Sequence, residues 1–130
     1  MVEDGRVEET PPGLVYGPIV YVDREKTERD LTSGDEQLVA RAVLAASLKD
    51  IDAAWVFDRC LTMVDDPRVG VRRAVALAIG HLAIPRDFVD ERRAREALGR
   101  LAADPLVRPA ASDALSDVEH ALAIRPDAGR

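Results

Sequence analysis

The sequence predicts an all-α fold, a short α-solenoid of about three helical hairpins. Two stretches of the 130-residue chain repeat one pattern: DDPRVGVRRAVALAIGHL from Asp65 to Leu82 and DPLVRPAASDALSDV from Asp104 to Val118. Each contains Asp-Pro, then Val-Arg, then small or branched apolar residues at helical spacing, and Val71 lies 36 residues before Val107. Helical units of about that length bury their apolar faces by stacking on one another.

Composition supports this fold and limits the classes of partner. Apolar residues make up 47% of the chain but aromatic residues only 4%, which favours closely packed helices over strands. A net charge of −6 and a pI near 4.9 argue against nucleic acid, whose phosphates require clustered Lys and Arg. The lone Cys60 excludes an internal disulfide, and no apolar run suits a signal peptide or a membrane span. We therefore expect a cytoplasmic protein that binds neither nucleic acid nor membrane.

One domain is predicted over residues 14–124. Residues 1–13 carry four acids and one arginine and end in Pro-Pro-Gly, so we expect a flexible acidic tail. Residues 14–22, LVYGPIVYV, favour an extended path across the first helices as an N-terminal cap. Residues 125–130 are expected to be a flexible C-terminus.

The first hairpin is predicted over residues 23–49. A short helix ends at Leu31 before Ser33-Gly34, and Asp35 opens the second helix. The apolar face of that second helix is expected to carry the residues that recur at steps of four, three and three, namely Leu38, Ala42, Ala45 and Leu48.

The second hairpin is predicted over residues 51–84. We expect Asp52 to be the N-cap and Cys60 a small buried hydrophobe. Trp55 is expected to be a core anchor, with an interface hot spot as the alternative. Asp66 is expected to cap the second helix of the pair, with Pro67 in its first turn.

The third hairpin is predicted over residues 87–124. Either Asp87 or Asp90 starts its first helix, whose buried edge is expected to hold Ala94, Leu98 and Leu101. The last helix follows Asp104-Pro105, carries Pro109 near its start and runs to about Ile124.

The pattern D-P-x-V-R-x-x-A-x-x-A-L-G-x-L resembles the bacterial, PBS-lyase type of HEAT repeat. It is matched almost position for position from Asp104 to Val118, and equally well from Asp66 after two extra residues. The resemblance implies a right-handed solenoid of HEAT-like hairpins. It also implies a structural ladder of loop aspartates and Val-Arg arginines between neighbouring units, which on this chain would pair Asp66 with Arg72 and Asp104 with Arg108.

A narrower stretch resembles small HEAT-like immunity-type proteins of bacterial toxin-immunity loci. The similar segments are D-x-x-W-V-x-D-x-C-L at 52–61, GHLA at 80–83 and DALSDVEHAL at 113–122. Two departures are Ile84-Pro85, where that group continues with an arginine, and Ser116, where it has an acidic residue. The resemblance implies a protein that binds and neutralises a partner toxin.

No catalytic residue, metal ligand or cofactor is predicted. His81 has no recognised ligand spacing around it and is expected to be a packing or hydrogen-bonding residue, with partner contact as an alternative. Asp113 and Asp117 lie four apart on one helical face, where a solvated acidic stripe is the simpler interpretation than an acid–base pair.

The predicted function is protein binding through the second helix of each hairpin. Partner contacts are expected at positions outside the apolar register, namely Arg73, Leu77, His81, Asp113, Asp117 and His120. A toxin domain is the most specific partner considered, and the protein itself is expected to be a monomer or weak homodimer. A generic scaffold or oligomerisation module is an alternative. A lyase-like or glycosylase-like HEAT enzyme is a second alternative function, which is disfavoured because the chain is short and acidic.

Overall fold

A computed structural model describes residues 24–49, 52–83 and 90–123 of the chain, and all regular structure within these ranges is α-helical. The prediction of an all-α protein is therefore confirmed for the described residues. The expectations for residues 1–13, 14–22 and 125–130, and for a helix start at Asp87, lie outside them. The helices are α1 (Arg24–Leu31), α2 (Glu36–Lys49), α3 (Ala53–Thr62), α4 (Val69–Ala83), α5 (Glu91–Leu101) and α6 (Arg108–Ala123).

Aspartate side chains begin three of these helices. The Asp35 carboxylate accepts the N–H of Gln37 at 3.0 Å at the start of α2. Asp52 and Asp90 each accept the N–H of the third residue after them, both at 3.1 Å, at the starts of α3 and α5. Each cap satisfies an amide that has no partner within its helix.

The start of α4 differs from the prediction. The helix begins at Val69, so Pro67 precedes its first turn. The Asp66 carboxylate accepts the N–H of Arg68 at 2.9 Å, and the carbonyl of Arg68 accepts the first helical bond, from Arg72 at 3.2 Å. The Asp66 side chain thus closes a short turn with Arg68 before the helix.

Helix α4 lies between α2 and α6. The most extensive helix contacts join α2 with α4 and α4 with α6, followed by α1 with α2 and α5 with α6. Val39, Val71 and Val107 lie in or just before the first turns of α2, α4 and α6, and all three are 0% exposed. These valines provide a common reference position for the three helices.

Helix α2 buries a different stripe from the one expected. Its fully buried side chains are Val39, Val43, Ala46 and Ser47. Leu48 is 62% exposed, and Ala45 is also exposed. Because α2 is rich in Ala, Val and Leu around its whole circumference, two apolar stripes overlap in its sequence. Contact with α4 selects the stripe that begins at Val39.

Ion pairs connect helices α1, α3 and α5. Arg24 of α1 lies 2.8 Å from the carboxylate of Asp52, and Glu28 lies 2.7 Å from Arg59 of α3. Asp58 of α3 lies 3.4 Å from Arg93 of α5. A further pair joins Asp65, just after α3, to Arg100 of α5. These surface pairs stabilise the fold little, since such contacts contribute about 0–1 kcal/mol each.

The aromatic residue expected in the core is only partly inside it. Trp55 is half-buried and lies under the guanidinium of Arg24, 4.4 Å from the ring centroid. Val56 and Phe57 take the inward positions, each 2% exposed. Cys60 is buried at 1% exposure, as expected, and burial raises the pKa of its thiol to about 12.

Candidate interaction surface

Five of the six predicted contact residues, all except His120, occupy equivalent positions on adjacent helices. These positions lie two, six and ten residues after the buried valine of each helix. They are Arg41, Ala45 and Lys49 on α2, Arg73, Leu77 and His81 on α4, and Pro109, Asp113 and Asp117 on α6. We call these nine residues, together with Leu48 and His120, the central strip. Because the three helices pack side by side, the strip runs across all of them.

The exposure of the strip follows the prediction only in part. Arg73, Asp113 and His120 are exposed, whereas Leu77, His81 and Asp117 are half-buried. The half-buried residues lie where α4 meets its neighbours, so each contributes to packing as well as to the surface. Sequence reasoning missed Arg41, Ala45, Lys49 and Leu48 on α2, which the common valine position identifies.

His81 bridges α4 and α2. Its Nδ1 atom lies 3.2 Å from the hydroxyl oxygen of Ser47, which is itself 5% exposed and donates to the carbonyl of Leu44 at 2.8 Å. The hydrogen-bonding role expected for His81 is therefore present, and its partner is a buried polar group of the neighbouring helix.

Asp117 lies at the closest approach of α4 and α6. A Cβ atom on Gly80 would lie 3.0 Å from its Oδ2 atom and 3.2 Å from the Cα atom of Ala114. Glycine at this position is what allows the Asp117 carboxylate and the α6 backbone to sit directly against α4.

The ladder residues pair differently from the expected scheme. Arg72 donates to the carbonyl of Asp66 at 2.7 Å with one terminal nitrogen and bonds the carboxylate of Asp104 with the other. It therefore connects one loop to the next. The Asp66 carboxylate is bound by Arg68, at 2.9 Å, and Arg108 donates to the carbonyl of Ala102 at 2.9 Å. The extra turn before α4 explains the change, because it places Arg68 against Asp66 and leaves Arg72 free to reach the next loop.

Charged side chains of the central strip differ from those elsewhere in the described structure in whether they form ion pairs. Among the described residues, the ion pairs involve α1, α3, α5, the loops, Glu119 and the ladder arginine Arg72. No ion pair within this part of the chain involves the charged strip residues Arg41, Lys49, Arg73, Asp113 and Asp117. The strip has positive charges on α2 and α4 and negative charges on α6, and none of these charges has an ion-pair partner among the described residues.

A second surface feature is an open cleft of about 640 Å³ between α3 and α5. Its lining includes apolar Leu61 and Val64 and the guanidinium groups of Arg93, Arg95 and Arg100. All three arginines already bond carboxylates: Arg93 with Asp58, Arg95 with Glu91 and Glu119, and Arg100 with Asp65. The cleft therefore offers little uncompensated charge to a ligand.

The described residues contain no group of three or more His, Cys, Asp or Glu side chains arranged to hold a metal ion. Within the same ranges, no helix combines the length and the apolar character needed to cross a bilayer. No protein-family model, curated protein or solved structure matches the chain.

Proposed function

We propose that the chain is a short right-handed α-solenoid of three HEAT-like hairpins that binds another protein through the central strip. The observation that carries the proposal is the contrast in charge pairing. Most charged residues of α1, α3 and α5 form ion pairs with other residues of the chain. In contrast, exposed Arg73 and Asp113 have no ion-pair partner in the described structure. Unpaired charges of both signs on one surface guide a complementary partner and set its orientation.

Apolar contact area accompanies these charges. Leu48 is 62% exposed on α2, and half-buried Leu77 occupies the middle of the strip on α4. An interface needs such desolvated contacts near its centre, surrounded by polar groups at its rim. The central strip supplies both, which supports binding to a folded protein surface rather than to a small molecule.

The resemblance of residues 52–61, 80–83 and 113–122 to immunity-type proteins makes a toxin domain the most specific partner to propose. Two of these segments contribute His81, Asp113, Asp117 and His120 to the strip. A partner for this surface would carry basic groups opposite α6 and acidic groups opposite α2 and α4, as complementarity requires.

The immunity role requires a toxin domain encoded in a reading frame next to that of this chain, and the direct test measures binding to such a domain. Arg73→Glu and Asp113→Lys are each expected to raise the dissociation constant by about tenfold or more, as measured by calorimetry. Glu25→Lys, an exposed change on α1, is the matched control and should leave affinity unchanged. Unaltered affinity in both strip variants would disprove this surface as the binding site.

Growth rescue tests the immunity role separately. Co-expression of the wild-type chain is expected to restore growth to bacteria that produce that toxin, while Arg73→Glu/Asp113→Lys should not. Tight binding without growth rescue would support the central strip as the binding surface but refute neutralisation of the toxin.

A further inference from the structure

Arg108 has the same position in α6 that Arg72 has in α4. Each directly follows a valine that is 0% exposed, Val107 or Val71. Each donates to the main-chain carbonyl six residues earlier, Arg108 from Nε at 2.9 Å and Arg72 from Nη1 at 2.7 Å. Arg72 also donates from Nη2 to the carboxylate of Asp104. Arg108 is exposed, and the described residues provide no carboxylate bonded to it.

Asp35 is the corresponding acceptor at the other end of the stack. Its carboxylate accepts the N–H of Gln37 at 3.0 Å, just as the Asp104 carboxylate accepts the N–H of Leu106 at 2.8 Å. Asp104 also receives Arg72, whereas Asp35 is exposed and no arginine bonds it within the described part of the chain. The molecule thus carries the donor of a ladder contact at one end and the acceptor at the other.

The side chains along one edge of α6 are also small. In α4, the buried residues Ala76 and Gly80 occupy the positions that correspond to Ser112 and Ser116 in α6, at the 36-residue spacing of the repeat. Gly80 lies at the contact with α6, and its counterpart Ser116 is exposed on an edge of α6 that no other described helix covers. Small side chains there allow another helix to approach closely.

We propose that a second copy of this chain stacks head to tail on the first, with the α6 edge of one copy against the α2 edge of the next. In this contact Arg108 donates to the carboxylate of Asp35 in the next copy, repeating the bond that Arg72 makes to Asp104. Such a contact is heterologous, so it leaves a free donor and a free acceptor at the two ends of every assembly. Association by this edge leaves the central strip uncovered and goes beyond the proposed binding function.

Sedimentation velocity across a concentration series tests the proposal. The wild-type chain is expected to show concentration-dependent association that weakens in about 1 M salt, where screening acts within about 3 Å. Arg108→Glu and Asp35→Asn should each raise the dissociation constant for association by about tenfold or more. Asparagine is chosen at position 35 because it retains the N-cap while removing the charge.

Sedimentation of a mixture of the two variants is the decisive measurement. The Arg108→Glu copy retains Asp35, and the Asp35→Asn copy retains Arg108, so an equimolar mixture should form dimers and nothing larger. Arg73→Glu is the matched control, since it removes a charge outside the two edges and should leave association unchanged. Binding of the toxin domain should also be unchanged in Arg108→Glu, which separates this inference from the proposed function.

Three results would overturn the head-to-tail contact. The first is a wild-type chain that stays monomeric up to about 1 mM, because the concentration series detects association with a dissociation constant up to about that value. The second is an association that Arg108→Glu leaves intact, which would indicate an interface elsewhere. The third is a mixture of folded variants, checked by circular dichroism, that forms no dimers.

Discussion

Gly80 controls the approach of α4 and α6 because it lacks a side chain where the two helices come closest. A Cβ atom there would lie 3.2 Å from both the Cα and Cβ atoms of Ala114. A Cβ atom on Gly99, an exposed residue of α5, would meet no other atom within 4 Å. The two helical glycines therefore differ in what surrounds them.

Gly80→Val should lower the free energy of unfolding by about 1–3 kcal/mol, because the added methyl groups must displace the α6 backbone. Gly99→Val is the matched control and should change stability by no more than about 0.5 kcal/mol, since it extends into solvent. Urea unfolding measures both. Equal stability of the two variants would contradict the close contact at Gly80.

Trp55 and His81 show how far single positions can be predicted. The helical pattern places Trp55, Val56 and Phe57 on one turn, and the core accepts only two of the three. Similarly, the sequence predicts a hydrogen-bonding histidine at 81 but does not identify Ser47 as its partner. Both outcomes depend on residues about 30 positions away in the chain.

At the level of helices, the Arg72–Asp104 contact joins two successive loops. The N–H of Leu106 and then the Arg72 guanidinium hold the pKa of Asp104 below its usual value. The Arg68 side chain has the same effect on the pKa of Asp66. Both carboxylates therefore favour the folded state only while they are ionised.

Acid should destabilise the protein through these groups. A carboxyl group whose pKa is lowered by folding contributes its full stabilisation above its unfolded pKa, about 3.9, and loses it as the pH falls through the lower folded value. We expect the free energy of unfolding to fall with pH below about 5. Asp104→Asn should make that decrease shallower, as measured by urea unfolding at a series of pH values. An identical pH dependence in wild type and variant would exclude Asp104 as a contributor.

Helix starts were largely predictable because their signals are local. Asp35 and Asp52 cap helices as the sequence indicates, and Asp90, one of the two starts that the sequence allowed for α5, caps that helix. The capped amides lie only two or three residues away. The buried face of α2 was not predictable, because two apolar stripes compete and the contact with α4 chooses between them. The Asp66 loop was misjudged for a related reason: Arg68 competes with Arg72 for the same carboxylate.

The whole molecule places its charges unevenly. Ion pairs connect α1 with α3 and α3 with α5. The central strip instead has charged groups of both signs without an ion-pair partner in the described ranges, on helices whose opposite side is buried and apolar. The same buried side includes Cys60, whose thiol is 1% exposed. Because α4 contacts both α2 and α6 extensively, loss of any of the three helices would expose the core of its neighbours.

We therefore expect one cooperative unfolding transition. Helix content by circular dichroism, Trp55 fluorescence and labelling of Cys60 by a thiol reagent should give the same urea midpoint. The native thiol should resist the reagent at about pH 8, since burial raises its pKa to about 12 and the thiolate is the reactive form. Labelling of Cys60 well below the midpoint would instead indicate separate opening of α3.

The sequence by itself determined the helical class, the aspartate caps and the repeated valines at 71 and 107, because these depend on neighbouring residues and on periodicity. The tertiary structure decided which stripe of α2 is buried, which carboxylate Arg72 bonds, and how far Leu77, His81 and Asp117 are covered. Those features depend on contacts between residues about 30 or more positions apart, where several partners of similar chemistry compete and helix packing selects one.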